Sequence, residues 1–225
     1  MIGTDLERRM ETLETQLHES REETWERSRE RWRGTGPTPN LTWGVEVSGE
    51  PFVTKAAQHG ALGPDRRILE IGPGYGRLLG ATIERGSSFR SYVGVDLSHS
   101  NVSHLRERFS QDDISFVQAD AESVDVGEPV DTVISSLVFK HLFPSFEATL
   151  RNVARQMTPG ALAVFDLIEG HRRYFADDGV TYLRHYTRPE VEAIVAAARL
   201  EIAAFDEVRH LPDHIRLLVV ARKPR

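Results

Sequence analysis

The sequence predicts an α/β fold of three layers: a doubly wound, seven-stranded, mostly parallel sheet with a C-terminal antiparallel hairpin, plus a long N-terminal helix. Three observations carry this expectation. Short apolar runs alternate with helix-length segments from Phe52 onward, the pattern of a parallel sheet covered on both faces. The run Ile68-Leu-Glu-Ile71 passes into a glycine-rich turn that opens a helix. The last two runs are joined only by Leu211-Pro-Asp-His214, too short for a crossover, so they pair antiparallel.

The elements follow in order. From Thr4 to Arg33 the chain is dense in Glu and Arg and free of Gly and Pro, and Thr4 with Glu7 has the spacing of a capping box; together these read as one long helix. Leu6, Met10, Leu13 and Leu17 form a short apolar seam that Trp25 and Trp32 extend. Ser20 and Thr24 interrupt it, so the helix docks on its own domain or on a partner's, and a homodimer through it is one expectation. Its charge run reads as a solvated face. The stretch from Gly34 to Pro39 cannot continue a helix, which makes residues 1–36 a charged helix with linker and residues 37–225 the main domain. Within that domain a helix over Phe52–His59 leads to a strand at Arg67–Ile71, a helix at Arg77–Glu84 and a strand at Tyr92–Val95. A helix at Val102–Phe109 then precedes strands at Ser115–Gln118 and Asp131–Ser135. A helix at Phe146–Met157 and a strand at Leu162–Leu167 come next. After an irregular stretch come a helix at Pro189–Ala198 and closing strands at Ile202–Val208 and Arg216–Ala221.

Composition narrows the function. At 225 residues the chain holds one α/β domain with a modest extension. The absence of cysteine removes disulfides, thiolate metal sites and thiol nucleophiles. A formal net charge of -6 disfavours a nucleic-acid partner, whose recognition rests on clustered Lys and Arg. No apolar run reaches the length of a membrane span, so no membrane insertion is expected. The charged N-terminus lacks an apolar signal region, from which a cytoplasmic location is expected.

The sharpest local feature is Glu70-Ile-Gly-Pro-Gly-Tyr-Gly76. In open α/β sheets, ligands bind at the carboxyl ends of strands, and glycines there allow close approach to the backbone. Two acidic positions sharpen the reading. Asp96, in Val93-Gly-Val-Asp-Leu97, ends the second strand, where a carboxylate can accept both hydroxyls of a ribose. Asp120, in Phe116-Val-Gln-Ala-Asp-Ala-Glu122, ends the third, placed to accept from an adenine amine while the backbone at Ala121 meets the ring edge. Taken singly, either aspartate could be a helix cap.

These three motifs together resemble the class I S-adenosylmethionine-dependent methyltransferases, over about Phe52 to Pro224. The resemblance implies S-adenosyl-L-methionine as cofactor. Its amino-acid end would lie against Glu70, Gly72, Gly74 and Gly76, its ribose on Asp96 with Leu97, and its adenine on Asp120, Ala121 and Glu122. Ser135, at the end of the fourth strand, joins the expected cofactor set. A nicotinamide dehydrogenase would also place an acid about twenty positions beyond its glycines. Its fingerprint calls for a glycine at position 77, which is Arg.

Methyl transfer needs in-line approach of a nucleophile and, for a hydroxyl, removal of its proton. After the fourth strand comes Ser135-Ser-Leu-Val-Phe-Lys-His-Leu142, and His141 is the expected base because imidazole titrates near neutral pH. The alternative is that His141 only packs or orients the loop. Beyond the fifth strand, Glu169, Arg172, Arg173, Tyr182 and His185 could line an acceptor pocket, with Trp43 folding over the site from ahead of the core. That polar set points to a hydroxyl of a polar small molecule, a sugar or glycan precursor, as acceptor. An N- or carboxyl-methyltransferase acting on an anionic small molecule and a non-catalytic binding protein are the competing readings. His210 with His214, and Asp177 with Asp178, lack the further ligands of a metal site, so no metal is expected.

Overall fold

The computed structural model describes residues 20–36, 48–210 and 215–225. A helix across 20–33, here α1, precedes α2 (Glu50–Gln58), β1 (Arg67–Ile71), α3 (Arg77–Glu84), β2 (Ser91–Asp96), α4 (His99–Arg108) and β3 (Ile114–Gln118). There follow β4 (Val130–Ser135), a 3-10 turn at Phe139–His141, α5 (Glu147–Gln156), β5 (Met157–Glu169), β6 (Arg173–Phe175) and β7 (Tyr182–Tyr186). The described chain closes with α6 (Arg188–Ala197), β8 (Glu201–His210) and β9 (Ile215–Arg222). The apolar seam Leu6–Leu17 lies outside the described residues, as does Trp43.

Seven strands build the expected sheet. β3, β2, β1, β4 and β5 lie side by side and parallel, β9 runs antiparallel to β5 from Leu162↔Arg222 to Ile168↔Arg216, and β8 pairs antiparallel with β9. β1 is buried at four of its five positions, as a strand covered on both faces must be. One apolar layer, under α5 and α6, contains Phe139, Phe146, Phe165 and Tyr186. The other, under α2, α3 and α4, contains Phe52, Leu78, Tyr92 and Leu105. The Arg67 guanidinium grips Asp131 at 2.9 and 3.1 Å, tying β1 to β4 at the end away from the glycine turn and holding the Asp131 carboxyl well below the usual range.

The irregular stretch predicted after β5 is instead a hairpin. β6 and β7 pair antiparallel, and β7 continues along the far end of β5 through Ile168↔His185 and Glu169↔Tyr186. Arg184 and His185 break the apolar alternation of Tyr182–Tyr186, which hides the strand from a periodicity argument. Its turn is held by Asp178, whose carboxylate accepts from the backbone of Val180 and Thr181 and from the Thr181 hydroxyl.

Candidate active site

Three adjacent strand ends meet at one place. The turn after β1 holds Gly72, Gly74 and Gly76 at φ of 68°, 58° and 85°, a region that L side chains rarely adopt. Their surroundings differ. A Cβ on Gly72 would come 2.5 Å from Val138, and one on Gly76 would come 2.5 Å from Phe109, so both are required by packing. Beside Gly74 there is only open space. Asp96 ties this turn to the second strand: its carboxylate accepts from Gly74 N at 3.0 Å, Ser98 N at 2.9 Å and Asn101 Nδ2 at 3.3 Å. Burial pushes its pKa up, against those three donors. Glu70 is likewise buried and accepts the Tyr92 hydroxyl; burial raises it to about 7.

At the end of β3, Asp120 accepts Glu122 N at 2.9 Å on one oxygen and Arg29 Nε at 2.8 Å on the other. Arg29 also pairs with Glu122 at 3.0 Å and lies 3.5 Å over the Trp25 ring. α1 is thus docked on its own domain. Its C-terminal end is held by the Ser98 hydroxyl donating to Thr35 O and by Arg31 reaching Thr181 and Asp178 at the tip of the hairpin.

A cavity of about 260 Å³ connects these parts. Of the residues expected from sequence, Glu70, Gly72, Gly74, Asp96, Leu97, Asp120, Ala121 and His141 line it. Others stand apart. Gly76 is packed under Phe109, Glu122 reaches the site through Arg29, and the Ser135 hydroxyl is spent on Ile71 O at 3.0 Å, joining β4 to β1. The expected polar acceptor lining is not assembled. Glu169 pairs with Arg188 at 2.8 Å, Arg172 and Arg173 are exposed on the hairpin, His185 lies against Tyr174, and the Tyr182 hydroxyl donates to Pro144 O. None of these five side chains lines the cavity. In their place stand Trp25, Trp32, Leu137, Val138, Leu142 and Phe143, so the wall is mainly apolar. Nothing in local spacing announced α1 as a wall; two tryptophans on an otherwise charged helix were the available signal.

Beyond β4 the wall is held by a buried network. Asp166 on β5 is 2% exposed and pairs with Arg216 on β9; it also accepts the Ser136 hydroxyl at 2.6 Å and Leu137 N at 2.7 Å. Burial raises its carboxyl, but Arg216 and these donors outweigh that and hold it below the usual range. Leu137 is fixed at φ 66°, a conformation that costs a non-glycine residue of the order of 1–2 kcal/mol. His141 is 8% exposed, its ring centroid 4.7 Å from that of Trp32. Its Nδ1 lies 2.8 Å from Tyr182 O, and since a carbonyl only accepts, Nδ1 carries the proton and Nε2 the lone pair of the neutral ring. Burial, reinforced by Lys140, lowers its pKa to about 3. Three polar atoms of cavity-lining side chains, Trp32 Nε1, Asn101 Oδ1 and Thr149 Oγ1, are buried with no hydrogen-bond partner among the described residues, which suits a cavity shaped around a hydrogen-bonding ligand. Among the described residues, no group of three or more His, Asp or Glu is placed to hold a metal ion, and no helix is long and apolar enough to cross a membrane.

A doubly wound sheet of order β3-β2-β1-β4-β5-β9-β8, with a glycine turn and two acidic strand ends facing one cavity, defines the class I methyltransferase fold. Residues 68–160 match the family model described as a methyltransferase domain. The fold is shared with 1,6-didemethyltoxoflavin-N1-methyltransferase of Burkholderia thailandensis, solved with its acceptor and S-adenosylhomocysteine. That likeness has a TM-score of 0.66, 21% identity, and 80% of each chain covered. A glycopeptide N-methyltransferase complexed with S-adenosylhomocysteine is also similar, with a TM-score of 0.65 and 14% identity over 80% of this chain and 91% of that one. In sequence, a fatty-acid O-methyltransferase of Mycolicibacterium smegmatis is 29% identical over 102 residues, 44% of this chain. The match spans 36% of the length of each curated relative.

Proposed function

We propose that the protein transfers a methyl group from S-adenosylmethionine to a small, largely apolar acceptor through an oxygen. The observation that carries this is a single cavity with hydrogen-bonding strand ends on one side and an apolar wall with a neutral imidazole on the other. The residues fit the cofactor: Gly74 leaves room for a chain beside the turn, Asp96 accepts at the strand end where a ribose would lie, and Asp120 with Ala121 borders the space for adenine. When bound, the cofactor supplies a methyl group made electrophilic by its sulfonium.

The chain's own part is positioning and exclusion of water. Leu137, Val138, Leu142 and Phe143 from one side and Trp32 from the other exclude solvent, and that apolar lining favours an acceptor with one reactive oxygen over a polyhydroxylated sugar. Agreement comes from the relative named for fatty-acid O-methylation. With its pKa lowered to about 3, His141 is poorly matched to take up a proton outright, and its part is to shape the wall beside the acceptor.

Calorimetric titration with S-adenosylmethionine and S-adenosylhomocysteine, followed by label transfer from methyl-tritiated cofactor to a panel of fatty acids, phenols, amines and methyl glycosides, tests the reading. Label on an apolar acid or phenol is the expected result. Label only on glycosides or amines would overturn the acceptor assignment, and absence of cofactor binding would overturn the function.

A further inference from the structure

We propose that the indole N–H of Trp32 holds one oxygen of the methyl acceptor, and that this acceptor is an apolar carboxylic acid bound as its carboxylate. The inference rests on the methyl-transfer function above and names the oxygen on which it acts. Trp25, Ser28, Arg29 and Trp32 lie on one stripe of α1, and all four line the cavity. Trp32 is fixed on that stripe from both directions along the chain. Arg29, a turn before it, is bound to Asp120 and Glu122, and its neighbour Arg31 reaches Thr181 and Asp178. Thr35 O, a turn after it, accepts from the Ser98 hydroxyl. The ring centroid lies 4.7 Å from that of His141 and 5.3 Å from the guanidinium carbon of Arg31. These contacts hold the ring, yet its Nε1 is buried and meets no hydrogen-bond acceptor among the described residues.

The three unpartnered atoms of the lining differ in the ligand they require. Asn101 belongs to the group around Asp96, to which its amide nitrogen donates. The Thr149 hydroxyl can turn to donate or to accept. The Trp32 N–H can only donate, and it stands in a wall whose members Leu137, Val138, Leu142 and Phe143 have side chains without oxygen or nitrogen. A buried donor with no acceptor is costly, so the ligand that completes this wall has an apolar body and an accepting oxygen. Protons decide which oxygen. An alcohol or phenol reaches the site protonated and needs a base. Among the described residues His141 is the titratable side chain of this wall, and burial keeps it from taking up a proton at neutral pH. Asp96 and Asp120 have both oxygens engaged by donors of the chain, and Glu70 accepts the Tyr92 hydroxyl. A carboxylate arrives already ionised. As it takes the methyl group, the new C–O bond forms, the S–C bond breaks with its electron pair left on sulfur, and the two opposite charges cancel with no proton to remove. Its second oxygen is left for the Trp32 N–H, in a charge-assisted bond stronger than an alcohol would make.

Two measurements on the full chain loaded with S-adenosylhomocysteine test this, with octanoate and octanol as probes. The chain has three tryptophans, so isotope-labelled indole nitrogens give three N–H signals by NMR, each assigned by replacing one tryptophan with phenylalanine. Octanoate is expected to move the Trp32 signal downfield, and by more than octanol does. By calorimetry, Trp32→Phe, which keeps an aromatic ring and lacks the N–H, is expected to weaken octanoate about 10-fold and octanol less than about threefold. If Trp32→Phe does not fold, the wild-type spectrum still decides, since the other two replacements assign the Trp32 signal by elimination. Octanoate bound with that signal unmoved, or equal weakening of both probes in Trp32→Phe, overturns the proposal and leaves the indole as packing. Binding of octanol alone, or of neither probe, overturns it as well. Each of these outcomes leaves the methyl-transfer function standing, whereas a wild-type chain that does not bind S-adenosylhomocysteine overturns both.

Discussion

The two sides of the cavity are built by opposite means. On the side proposed for the cofactor, each group sits at or just past the end of its own strand and is held by nearby donors: Asp96 by Gly74, Ser98 and Asn101, and Asp120 by the backbone of Glu122. On the acceptor side no short segment suffices. Trp32 comes from α1, His141 from the turn after β4, its carbonyl partner from β7, and the support beneath Leu137 from β5 and β9. A site made of strand ends is robust and easily recognised, whereas one made of distant pieces is free to vary and is silent in sequence.

The contrast can be broken most directly at Asp96. Replacing it with Ala removes the carboxylate that would meet the ribose and the acceptor that orders Gly74, and should weaken S-adenosylhomocysteine binding about 100-fold by calorimetry. An unchanged affinity would mean that the cofactor side is not where the strand ends place it. Next comes Glu70, an acid kept at the floor against its own ionisation. Its folded pKa of about 7 lies above the value of 4.5 for an unperturbed Glu, so the folded state holds the proton longer and stability falls as pH rises through that window. Glu70→Gln keeps an oxygen for the Tyr92 hydroxyl and should gain on the order of 2–3 kcal/mol over wild type above pH 7 in urea unfolding, with little gain near pH 4. A pH-independent difference would refute this assignment.

Smaller effects sharpen the acceptor side. Arg29→Ala releases α1 from Asp120 and Glu122, and amide exchange across residues 20–33 should speed up about tenfold by mass spectrometry while β1 and β4 keep their protection. Unchanged exchange would show that the tryptophans alone hold the helix. The His141 ring should show no titration of its own between pH 5 and 8. Because its pKa is lowered to about 3, its ring resonances should stay those of a neutral imidazole, and stability linked to it should be lost only as pH falls below about 6.5 toward 3. A titration near 6.5 by NMR would show that the ring is exposed to water.

What the sequence disclosed follows the same division. The seven-stranded sheet and its antiparallel hairpin were readable because buried parallel strands leave unbroken apolar runs, as at Val130–Ser135 and Ile215–Arg222. The glycine turn, Asp96 and Asp120 were readable because their local chain positions already determine where they point. β6 and β7 were not, since Arg173, Arg184 and His185 erase their periodicity. The expected acceptor set of Glu169, Arg172, Arg173 and His185 rested on polarity alone, and polarity cannot say which way a hairpin faces. Ser135 and Ser136 show the limit at its finest: adjacent in sequence, they point to opposite purposes, one to Ile71 O and the other to the cavity.

The docking of α1 has a consequence for how the chain holds together. Residues 25–36 near one end of the sequence and Thr149, far along it, border the same space, so whatever fills that space crosslinks regions that the backbone joins only distantly. A bound cofactor then acts as a reversible staple on the tertiary structure. At about 100 times its dissociation constant it would add roughly 2.7 kcal/mol to the folded state. If the chain uses the cofactor as proposed, loss of that ligand would remove a link between α1 and the sheet, and the lifetime of the fold would follow the supply of methyl donor.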